Sequence, residues 1–552
     1  MRVALCQFNP LIGAISQNAE RILAFAKQAS EKGAQLLILP ELAICGYPPQ
    51  DLLFRQELLD QIEEHLLEIA RHAPIPVLVG APVRHHQPNE NPLWNAAVLC
   101  TKGQVKVIGK KALLPNYDVF DEKRYFEPKG QKDEQGIMEL GGVIFGVTIC
   151  EDAWNDPQFW PHQRYQENPV EEVVGQGAQI ILNLSASPYS RKKPLLREQV
   201  FSHLAKKHQR TLIMVGQVGA NDQLIFDGSS VAIDEDGQVM ARAPVFEEAL
   251  LLVDIGVKAK EKARPFPNEM EMLSLALITG IRDYVQKCRS PGAIVGLSGG
   301  IDSAVTAALA VRALGPERVL GVRMPSKFSS NHSLEDAEEL ANNLGIKLHT
   351  VPIEPMVASF RNALSAPLAG FATHTDDVTD QNLQARARGM VLMAFSNKTD
   401  YLVLTTGNKS ETSVGYSTLY GDMCGALGPL SDIYKTDVYR LAHHFNTNGP
   451  SIPERSITKP ASAELKENQT DQDTLPPYDL LDAILSRYID QEMPVRQIEQ
   501  ETQIPRKDLM RIISMVHRNE YKRRQAPFSL MVSERVFGMG RRWPIAKKFD
   551  PL

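Results

Sequence analysis

The chain has few cysteines for its length, and this scarcity excludes one large class of protein. Six cysteines are spread over 552 residues, and no two of them are spaced as a Cys-x-x-Cys pair. Small secreted proteins that depend on disulfides carry cysteine at a much higher density. We therefore predict neither a disulfide framework nor an oxidising compartment, and we expect the protein in the reducing cytoplasm.

Long apolar runs and an excess of charge of one sign are also missing. No apolar stretch approaches the ~20 residues that cross a bilayer, and Gln7, Asn9 and Pro10 interrupt the N-terminal run, unlike a signal peptide. The 60 Lys and Arg residues face 66 Asp and Glu residues, which gives a net charge of −6. Because nucleic acids attract basic surfaces, we predict neither a membrane nor a nucleic-acid partner.

The length and composition are those of a globular protein with more than one domain. Hydrophobic residues make up 43% of the chain and charged residues 23%, which is ordinary for a folded protein of two or more domains. Strand patterns over 3–8 and 36–39 flank a helical pattern over 18–32, which predicts a layered α/β domain. A charged stretch that ends in prolines predicts a linker. The predicted boundaries are a first domain over 1–256, a linker over 257–268 and a second domain over 269–552.

A glycine-rich loop in the second half has the composition of a phosphate site. It consists of Gly296, Leu297, Ser298, Gly299, Gly300, Ile301, Asp302 and Ser303. The preceding pattern predicts a buried strand and the following one a helix, so glycine backbone and free helix N–H groups would meet a phosphate there. The lysine of the Walker pattern is missing. The loop instead resembles the pyrophosphate loop of the ATP-pyrophosphatase superfamily, which implies ATP as a substrate.

Three residues of the first half have chemistry that could form one site. Glu41 and Cys150 each follow a strand pattern, and Lys111 precedes an apolar segment. A thiol needs a base to become a nucleophile, a carboxylate can take its proton, and a lysine can stabilise the resulting oxyanion. The residues alone leave other readings open: a small buried side chain for Cys150, a surface charge for Lys111 and a solvated loop carboxylate for Glu41.

The first half, up to about residue 255, resembles the nitrilase, or carbon–nitrogen hydrolase, superfamily. The matching stretches are 40–42, 46–53, 111 with 114–115, and 149–152. The resemblance implies an α-β-β-α sandwich in which Glu41 is the base, Lys111 the stabiliser and Cys150 the nucleophile. Because charged residues at strand ends seldom belong to a core, we expect Lys111→Met and Glu41→Gln to abolish activity without unfolding the domain.

The same resemblance implies further residues around this triad. Many members have a second glutamate after the lysine, for which Glu122 and Glu127 are both candidates. In members that use glutamine, positions such as Tyr117, Ser187 and Lys193 hold the substrate. The glutamine-binding set implied for this chain is therefore those three side chains.

The second half resembles the NAD synthetase family beyond the pyrophosphate loop. The matching stretches are 381–382, 384–386, 405–411, 415–418, 420–422 and 435–438. With the nitrilase-like half in front, the whole chain resembles the glutamine-dependent NAD synthetases. This implies a doubly wound parallel sheet of the adenine nucleotide α-hydrolase type. It also implies that glutamine is hydrolysed to ammonia, and that deamido-NAD is adenylated by ATP and amidated to NAD, with release of AMP and pyrophosphate.

The resemblance also assigns contacts in the second half. Thr406 would contact ATP, and Asn382, Glu411 and Lys522 would contact deamido-NAD. Because Asp302 and Glu411 both follow strand patterns, two carboxylates would face the triphosphate, which predicts a Mg²⁺ site. The 459–475 loop departs from the pattern of ammonia-dependent members, so we assign no site residue there. The family resemblance implies a homo-oligomer. A different pyrophosphate-loop amidotransferase and a non-catalytic relative remain alternatives.

Overall fold

The chain forms two compact units, residues 1–267 and 268–552. The computed structural model describes residues 1–85, 87, 89–130, 136–257, 263–371, 377–447 and 449–549. Most of the predicted linker's charged stretch, residues 258–262, therefore lies outside the described residues. Within the described ranges, no helix is long and apolar enough to cross a bilayer.

The first unit contains four α-helices and fourteen strands in its described part. The strands are β1 (Arg2–Gln7), β2 (Leu36–Ile38), β3 (Val77–Arg84), β4 (Leu93–Thr101), β5 (Gln104–Lys110), β6 (Ile137–Leu140), β7 (Val143–Ile149), β8 (Ile180–Ser185), β9 (Thr211–Gly216), β10 (Val218–Asn221), β11 (Leu224–Asp227), β12 (Val231–Ile233), β13 (Val239–Arg242) and β14 (Ala249–Asp254). The helices are α1 (Ile15–Glu31), α2 (Gln56–His72), α3 (Pro169–Gly175) and α4 (Lys193–His208).

Two six-stranded sheets form the centre of this unit. Their strand orders are β14-β1-β2-β3-β4-β5 and β13-β12-β9-β8-β7-β6. Apolar side chains of one sheet, such as Val3 and Ile38, pack against those of the other, such as Phe145 and Leu182, in one buried core. Helices α1 and α2 cover the first sheet, and α3 and α4 the second. The predicted α-β-β-α sandwich is confirmed.

The second unit surrounds one parallel sheet with helices. Its strands are β15 (Ala293–Gly296), β16 (Val319–Arg323), β17 (Lys347–Thr350), β18 (Leu402–Leu404), β19 (Leu427–Gly428) and β20 (Phe528–Ser529). Its helices are α5 (Glu269–Lys287), α6 (Ile301–Leu314), α7 (Asn331–Leu344), α8 (Glu354–Leu368), α9 (Thr379–Thr399), α10 (Lys409–Val414), α11 (Lys435–Phe445), α12 (Glu454–Thr458), α13 (Tyr478–Leu485), α14 (Val495–Thr502), α15 (Arg506–Arg518) and α16 (Glu520–Arg523).

The strand order of this sheet determines where a ligand can bind. The order is β17-β16-β15-β18-β19-β20, and every neighbouring pair is parallel. This is the doubly wound arrangement that was predicted. Its order reverses between β15 and β18, and a crevice opens outside the carboxyl ends of the strands at such a switch point. The predicted pyrophosphate loop follows β15, and the 405–411 stretch follows β18, so both border that crevice.

Two candidate active sites

The first candidate site lies at the ends of strands in the first unit. Glu41 follows β2, Lys111 follows β5 and Cys150 follows β7. The ammonium of Lys111 donates to Glu41 Oε1 at 2.7 Å, and the side chains of both residues are fully buried. Cys150 is 6% exposed and belongs to the core between the sheets. The structure thus brings together three residues that lie 70 and 39 positions apart in sequence.

Lys111 is held by two carboxylates rather than one. Its ammonium also donates to Glu122 at 2.8 Å, and the hydroxyl of Tyr47 donates to the same carboxylate at 2.9 Å. Burial opposes the charge on Lys111, but the attraction of Glu122 and Glu41 outweighs it and raises the pKa of this lysine. Burial likewise raises the pKa of Glu122 to about 7, with Lys111 acting in the opposite direction.

The structure separates the two candidates for the second glutamate. Glu122 contacts Lys111, whereas the carboxylate of Glu127 accepts the backbone N–H of Asn91 at 2.9 Å. Sequence proximity to Lys111 could not distinguish them, because the turn at 122–124 decides which carboxylate faces inward.

Glu41 and Cys150 are each fixed by further neighbours. Asn95 donates to Glu41 Oε1 at 2.7 Å, and the backbone N–H of Ala186 donates to Oε2 at 3.0 Å. Cys150 begins a tight turn with a left-handed backbone, φ +45°. Non-glycine residues in this region are strained and are common at functional sites. Burial, followed by repulsion from Glu41, raises the pKa of the Cys150 thiol.

The implied glutamine-binding residues border the same region. Ser187 is 8% exposed, and Lys193 begins α4 with its ammonium 5.9 Å from the ring centres of Phe120 and Trp154. Burial lowers the pKa of Lys193, and electrostatic attraction to Cys150 opposes this shift. The hydroxyl of Tyr117 donates to the carboxylate of Glu151 at 2.7 Å, so the two side chains form one hydrogen-bonded pair.

Glu151 is a residue that the sequence analysis did not assign to the site. It follows the predicted nucleophile directly, it is 7% exposed, and it accepts hydroxyls from both Tyr117 and Tyr165. The next residue, Asp152, has a structural role: its carboxylate accepts the backbone N–H groups of Ala112, Leu113 and Ile149 at 2.9–3.0 Å. Direct adjacency to Cys150 was the signal that could have identified Glu151.

The second candidate site begins at the pyrophosphate loop. Gly299 has φ +77°, and a Cβ there would lie 2.3 Å from the carbonyl oxygen of Ser333. Ser298 and Ser303 hydroxyls lie 3.1 Å apart, and Ser303 also donates to the carbonyl of Gly300 at 2.9 Å. These bonds hold the loop in a compact shape at the N-terminus of α6, a 14-residue helix whose free N–H groups attract anions.

Asp302 and Glu411 do approach one another across the switch point. Lys435 lies between them, bonded to Asp302 and 3.5 Å from Glu411 Oε1. The amide of Asn408 donates to Asp302 at 2.9 Å. Burial raises the pKa of Glu411 to about 8, although Lys435 lowers it. Burial disfavours the charge of Lys435, but the attraction of Asp302 and Glu411 prevails and raises its pKa.

Lys435 and Asp471 are further residues that the sequence analysis did not assign. Lys435 lies in the matching stretch 435–438, which by itself implies no role for this lysine, and Asp471 lies in the 459–475 loop, where the sequence assigns no site residue. Asp471 is 4% exposed, it accepts the Tyr478 hydroxyl at 2.8 Å, and burial raises its pKa. Its negative charge raises the pKa of both Glu411 and Lys435. Only the fold reveals this proximity.

The remaining predicted contacts line one cavity of about 1150 Å³ together with the loop. Thr406, Asn382 and Lys522 are all part of its wall. Asn382 Oδ1 accepts the Thr418 hydroxyl at 2.8 Å. Lys522 donates to the carbonyls of Gly415 and Ser417 at 2.7 and 2.6 Å, and burial lowers its pKa. Most of the loop, both carboxylates and the predicted substrate contacts therefore line the same cavity.

Comparison with known proteins gives each unit a family. A carbon–nitrogen hydrolase family model matches residues 2–264, and an NAD synthase family model matches residues 274–526. The glutamine-dependent NAD(+) synthetase of Synechocystis sp. is 47% identical and covers 100% of this chain and 99% of the relative. The glutamine-dependent NAD(+) synthetase of Thermotoga maritima is 38% identical and covers 100% of both chains.

A solved structure extends the similarity to the fold of the whole chain. The glutamine-dependent NAD+ synthetase from Acinetobacter baumannii, in complex with adenosine diphosphate, matches with a TM-score of 0.77 and 39% identity. The match covers 99% of this chain and 98% of that one. With both halves matched in one continuous chain, the protein belongs to the family of glutamine-dependent NAD(+) synthetases.

Proposed function

We propose that this chain makes NAD from deamido-NAD, using ATP to activate the acid and glutamine to supply the nitrogen. The first unit, 1–256, would be the glutaminase domain and the second, 269–552, the synthetase domain. The observation that carries the proposal is the contact of Lys111 with Glu41 beside Cys150 in one unit, together with the loop and acidic pair around one cavity in the other. One chain therefore contains both halves of the chemistry.

In the glutaminase reaction, the sulfur of Cys150 attacks the side-chain amide carbon of glutamine. Glu41 accepts the thiol proton, and Lys111 stabilises the oxyanion on the carbonyl oxygen. The C–N bond breaks as the proton passes from Glu41 to the leaving nitrogen, so ammonia departs and a thioester remains. Water then attacks the thioester, with Glu41 as base, and glutamate leaves while the thiol re-forms.

The substrate's backbone charges would be recognised by two side chains near the nucleophile. The ammonium of Lys193 suits the α-carboxylate of glutamine. Burial lowers the pKa of this lysine, and a bound carboxylate would favour its charged form. The buried carboxylate of Glu151 suits the α-ammonium, because Tyr117 and Tyr165 already orient it. Ser187 adds a hydroxyl, and these contacts together distinguish a free amino acid from a simple amide.

In the synthetase reaction, the nicotinic acid carboxylate of deamido-NAD attacks the α-phosphorus of ATP. Pyrophosphate leaves, and the acyl-adenylate reacts with ammonia to give NAD and AMP. The loop 296–303 and the α6 N-terminus bind the phosphates, Thr406 contacts ATP, and Asn382, Glu411 and Lys522 contact deamido-NAD. Lys435 offsets the charge that develops on the leaving pyrophosphate.

The acidic side chains of this site suit Mg²⁺ as well. Burial, together with the charges of Asp302 and Asp471, raises the pKa of Glu411 to about 8 against the effect of Lys435, so a bound cation would favour the ionised form of Glu411. Carboxylate oxygens are the ligands that Mg²⁺ prefers. Asp302 and Glu411 would hold the ion, which when bound would supply charge neutralisation for the triphosphate.

The setting of the reaction follows from the composition and the family. Sparse cysteine supports a cytoplasmic location, and the family resemblance supports a homo-oligomer, for which light scattering is the test. The substrates are small molecules, namely glutamine, ATP and deamido-NAD.

The decisive experiment compares two nitrogen sources in the Cys150→Ala variant. NAD synthesis from glutamine should stop, while synthesis from added ammonium chloride at pH ~8 should continue, because no cysteine is assigned a role in the synthetase reaction. Formation of NAD, AMP and pyrophosphate is measured together. Activity with glutamine would mean that Cys150 is not the nucleophile. A folded variant that binds ATP but fails with both nitrogen sources would contradict the two-site scheme. Turnover of other acids in preference to deamido-NAD would point to a different amidotransferase.

A further inference from the structure

The hydroxyl of Ser185 contacts the sulfur of Cys150. Ser185 Oγ donates to Cys150 Sγ at 3.4 Å, and both side chains are buried, at 1% and 6% exposure. The strand register explains the contact. Strands β7 and β8 are parallel with Ile149 opposite Leu184, so the residue after each lies at the same edge of the sheet. The triad chemistry does not use this hydroxyl.

A second side chain of β8 holds the backbone of the nucleophile. Asn183, two positions before Ser185 and therefore on the same strand face, donates to the carbonyl of Cys150 at 3.4 Å and to the Thr148 hydroxyl at 3.1 Å. Strand β8 thus contacts Cys150, whose backbone is left-handed, at two atoms, the carbonyl oxygen and the sulfur. Asn183 fixes the backbone of the nucleophile, whereas Ser185 donates to the reacting atom.

We propose that Ser185 is a further catalytic residue of the glutaminase, whose hydroxyl stabilises the Cys150 thiolate and aligns the sulfur for attack. The proposal rests on the role of Cys150 as the nucleophile. During attack, the sulfur loses its negative charge as the S–C bond forms, and the bond from Ser185 weakens. When the thioester is hydrolysed, the thiolate leaves again and regains this donor before it is reprotonated from Glu41.

The charged surroundings explain why one hydroxyl matters here. The titratable groups that interact with the thiol are Glu41, Lys111, Glu122, Tyr47 and Lys193. Burial and then Glu41 raise the pKa of Cys150, whereas Lys111 and the bond from Ser185 lower it. Removing the hydroxyl therefore raises the thiol pKa, and the pH profile of its reactivity moves upward. A hydrogen bond to a charged group corresponds to a shift of about one pH unit.

The test uses a matched pair of substitutions, Ser185→Thr and Ser185→Val, which have nearly the same shape and differ in the hydroxyl. The rate of alkylation of Cys150 by iodoacetamide is measured at pH 8 and at pH 9, both below the raised pKa of this thiol, by peptide mass spectrometry, which separates Cys150 from the exposed Cys288. Because this rate follows the thiolate fraction, we expect it to be about tenfold lower in Ser185→Val than in Ser185→Thr at each pH. Glutaminase kcat/KM at pH 7.5 should differ about tenfold in the same order.

Controls separate this effect from misfolding and from failure of the proposed nucleophile. The Tm of the first unit, measured by differential scanning calorimetry, should be equal in both variants, and Ser190→Ala, which removes a buried hydroxyl five positions along the chain, should leave the alkylation rate unchanged. Equal alkylation rates and equal kcat/KM for the Thr and Val variants would overturn the role of Ser185 while leaving Cys150 as the nucleophile. Glutaminase activity in Cys150→Ala would overturn both.

Discussion

Replacing Lys111 by Met removes a buried ammonium from between two carboxylates. Lys111 is 1% exposed and bonds to Glu41 at 2.7 Å and Glu122 at 2.8 Å. The sequence argument that a charged residue at a strand end lies outside the core is wrong here, because this lysine is among the largest fully buried side chains of the chain. We therefore expect a loss of stability as well as of activity.

The size of the loss follows from the charges that remain. Removing one partner of a buried ion pair costs about 3–5 kcal/mol, because it leaves an uncompensated charge. For a unit of this size that corresponds to a Tm about 10 °C lower. One of the two carboxylates can take up a proton, so the loss should shrink at lower pH, and Lys111→Met/Glu122→Gln should recover a large part of it without recovering glutaminase activity.

Differential scanning calorimetry of the wild type, both variants and Lys106→Met checks this reasoning. Lys106 is an exposed lysine of β5, the strand that Lys111 follows, and its substitution should change Tm by less than ~2 °C. NAD synthesis from ammonium reports whether the second unit remains intact. A Lys111→Met protein with unchanged Tm, or a double variant less stable than the single one, would refute the account of the buried charge.

Two further predictions concern the synthetase unit. Because the pKa of Glu411 is raised to about 8 in the folded protein, its ionisation should reduce nucleotide-free stability as pH rises from about 4.5 to 8. Thermal melts of Glu411→Gln should show a flatter pH dependence than wild type over this window, and identical curves would contradict the assignment. In Gly299→Ala, the added Cβ would lie 2.3 Å from the Ser333 carbonyl oxygen, on a backbone whose left-handed φ disfavours any side chain. This substitution should abolish pyrophosphate release with either nitrogen source and spare glutamine hydrolysis, and normal ATP turnover would show that the loop tolerates a side chain.

The strand and helix patterns were predictable wherever one face of an element is buried. The apolar spacing over 269–287 predicts a helix and the apolar run over 143–149 predicts a strand, and these ranges coincide with α5 and β7. Errors lie at element ends, where capping and not periodicity decides. The sequence pattern over 333–344 predicts a helix opened by Ser333, whereas the helix in the structure is capped by Ser330, whose backbone is extended and whose hydroxyl accepts the Ser333 N–H at 3.1 Å. The polar stretch over 365–379 predicts a loop, and this is wrong in its first residues, because α8 continues to Leu368.

The candidate sites were predictable only in part, for a physical reason. A motif reports residues that lie close together in sequence, such as 296–303, and family resemblance supplied Glu41, Lys111 and Cys150. The partners of these residues come from other strands. Ser185 contacts Cys150 because of the register of β7 and β8, and Asp471 lies near enough to raise the pKa of Lys435 although it belongs to a loop outside any matched motif. Such contacts depend on tertiary packing, which the sequence pattern does not describe.

A buried lysine between two acids occurs in both candidate sites and also elsewhere. Lys409 is fully buried, its ammonium donates to Asp490, the Ser533 hydroxyl and the Arg535 carbonyl at 2.7, 2.7 and 2.8 Å, and it also forms an ion pair with Asp432 at 2.8 Å. Every proton of that ammonium thus has a protein acceptor, as in a structural anchor.

The difference between this anchor and the candidate sites lies in the neighbouring groups. Lys111 adjoins a buried thiol on a left-handed backbone, and Lys435 faces a cavity of about 1150 Å³ beside Asp302 and Glu411. In the proposed function these neighbours are the nucleophile in one unit and the substrate cavity in the other. A buried ion pair therefore indicates chemistry only when a nucleophile or an accessible cavity adjoins it, and that condition separates Lys111 and Lys435 from Lys409.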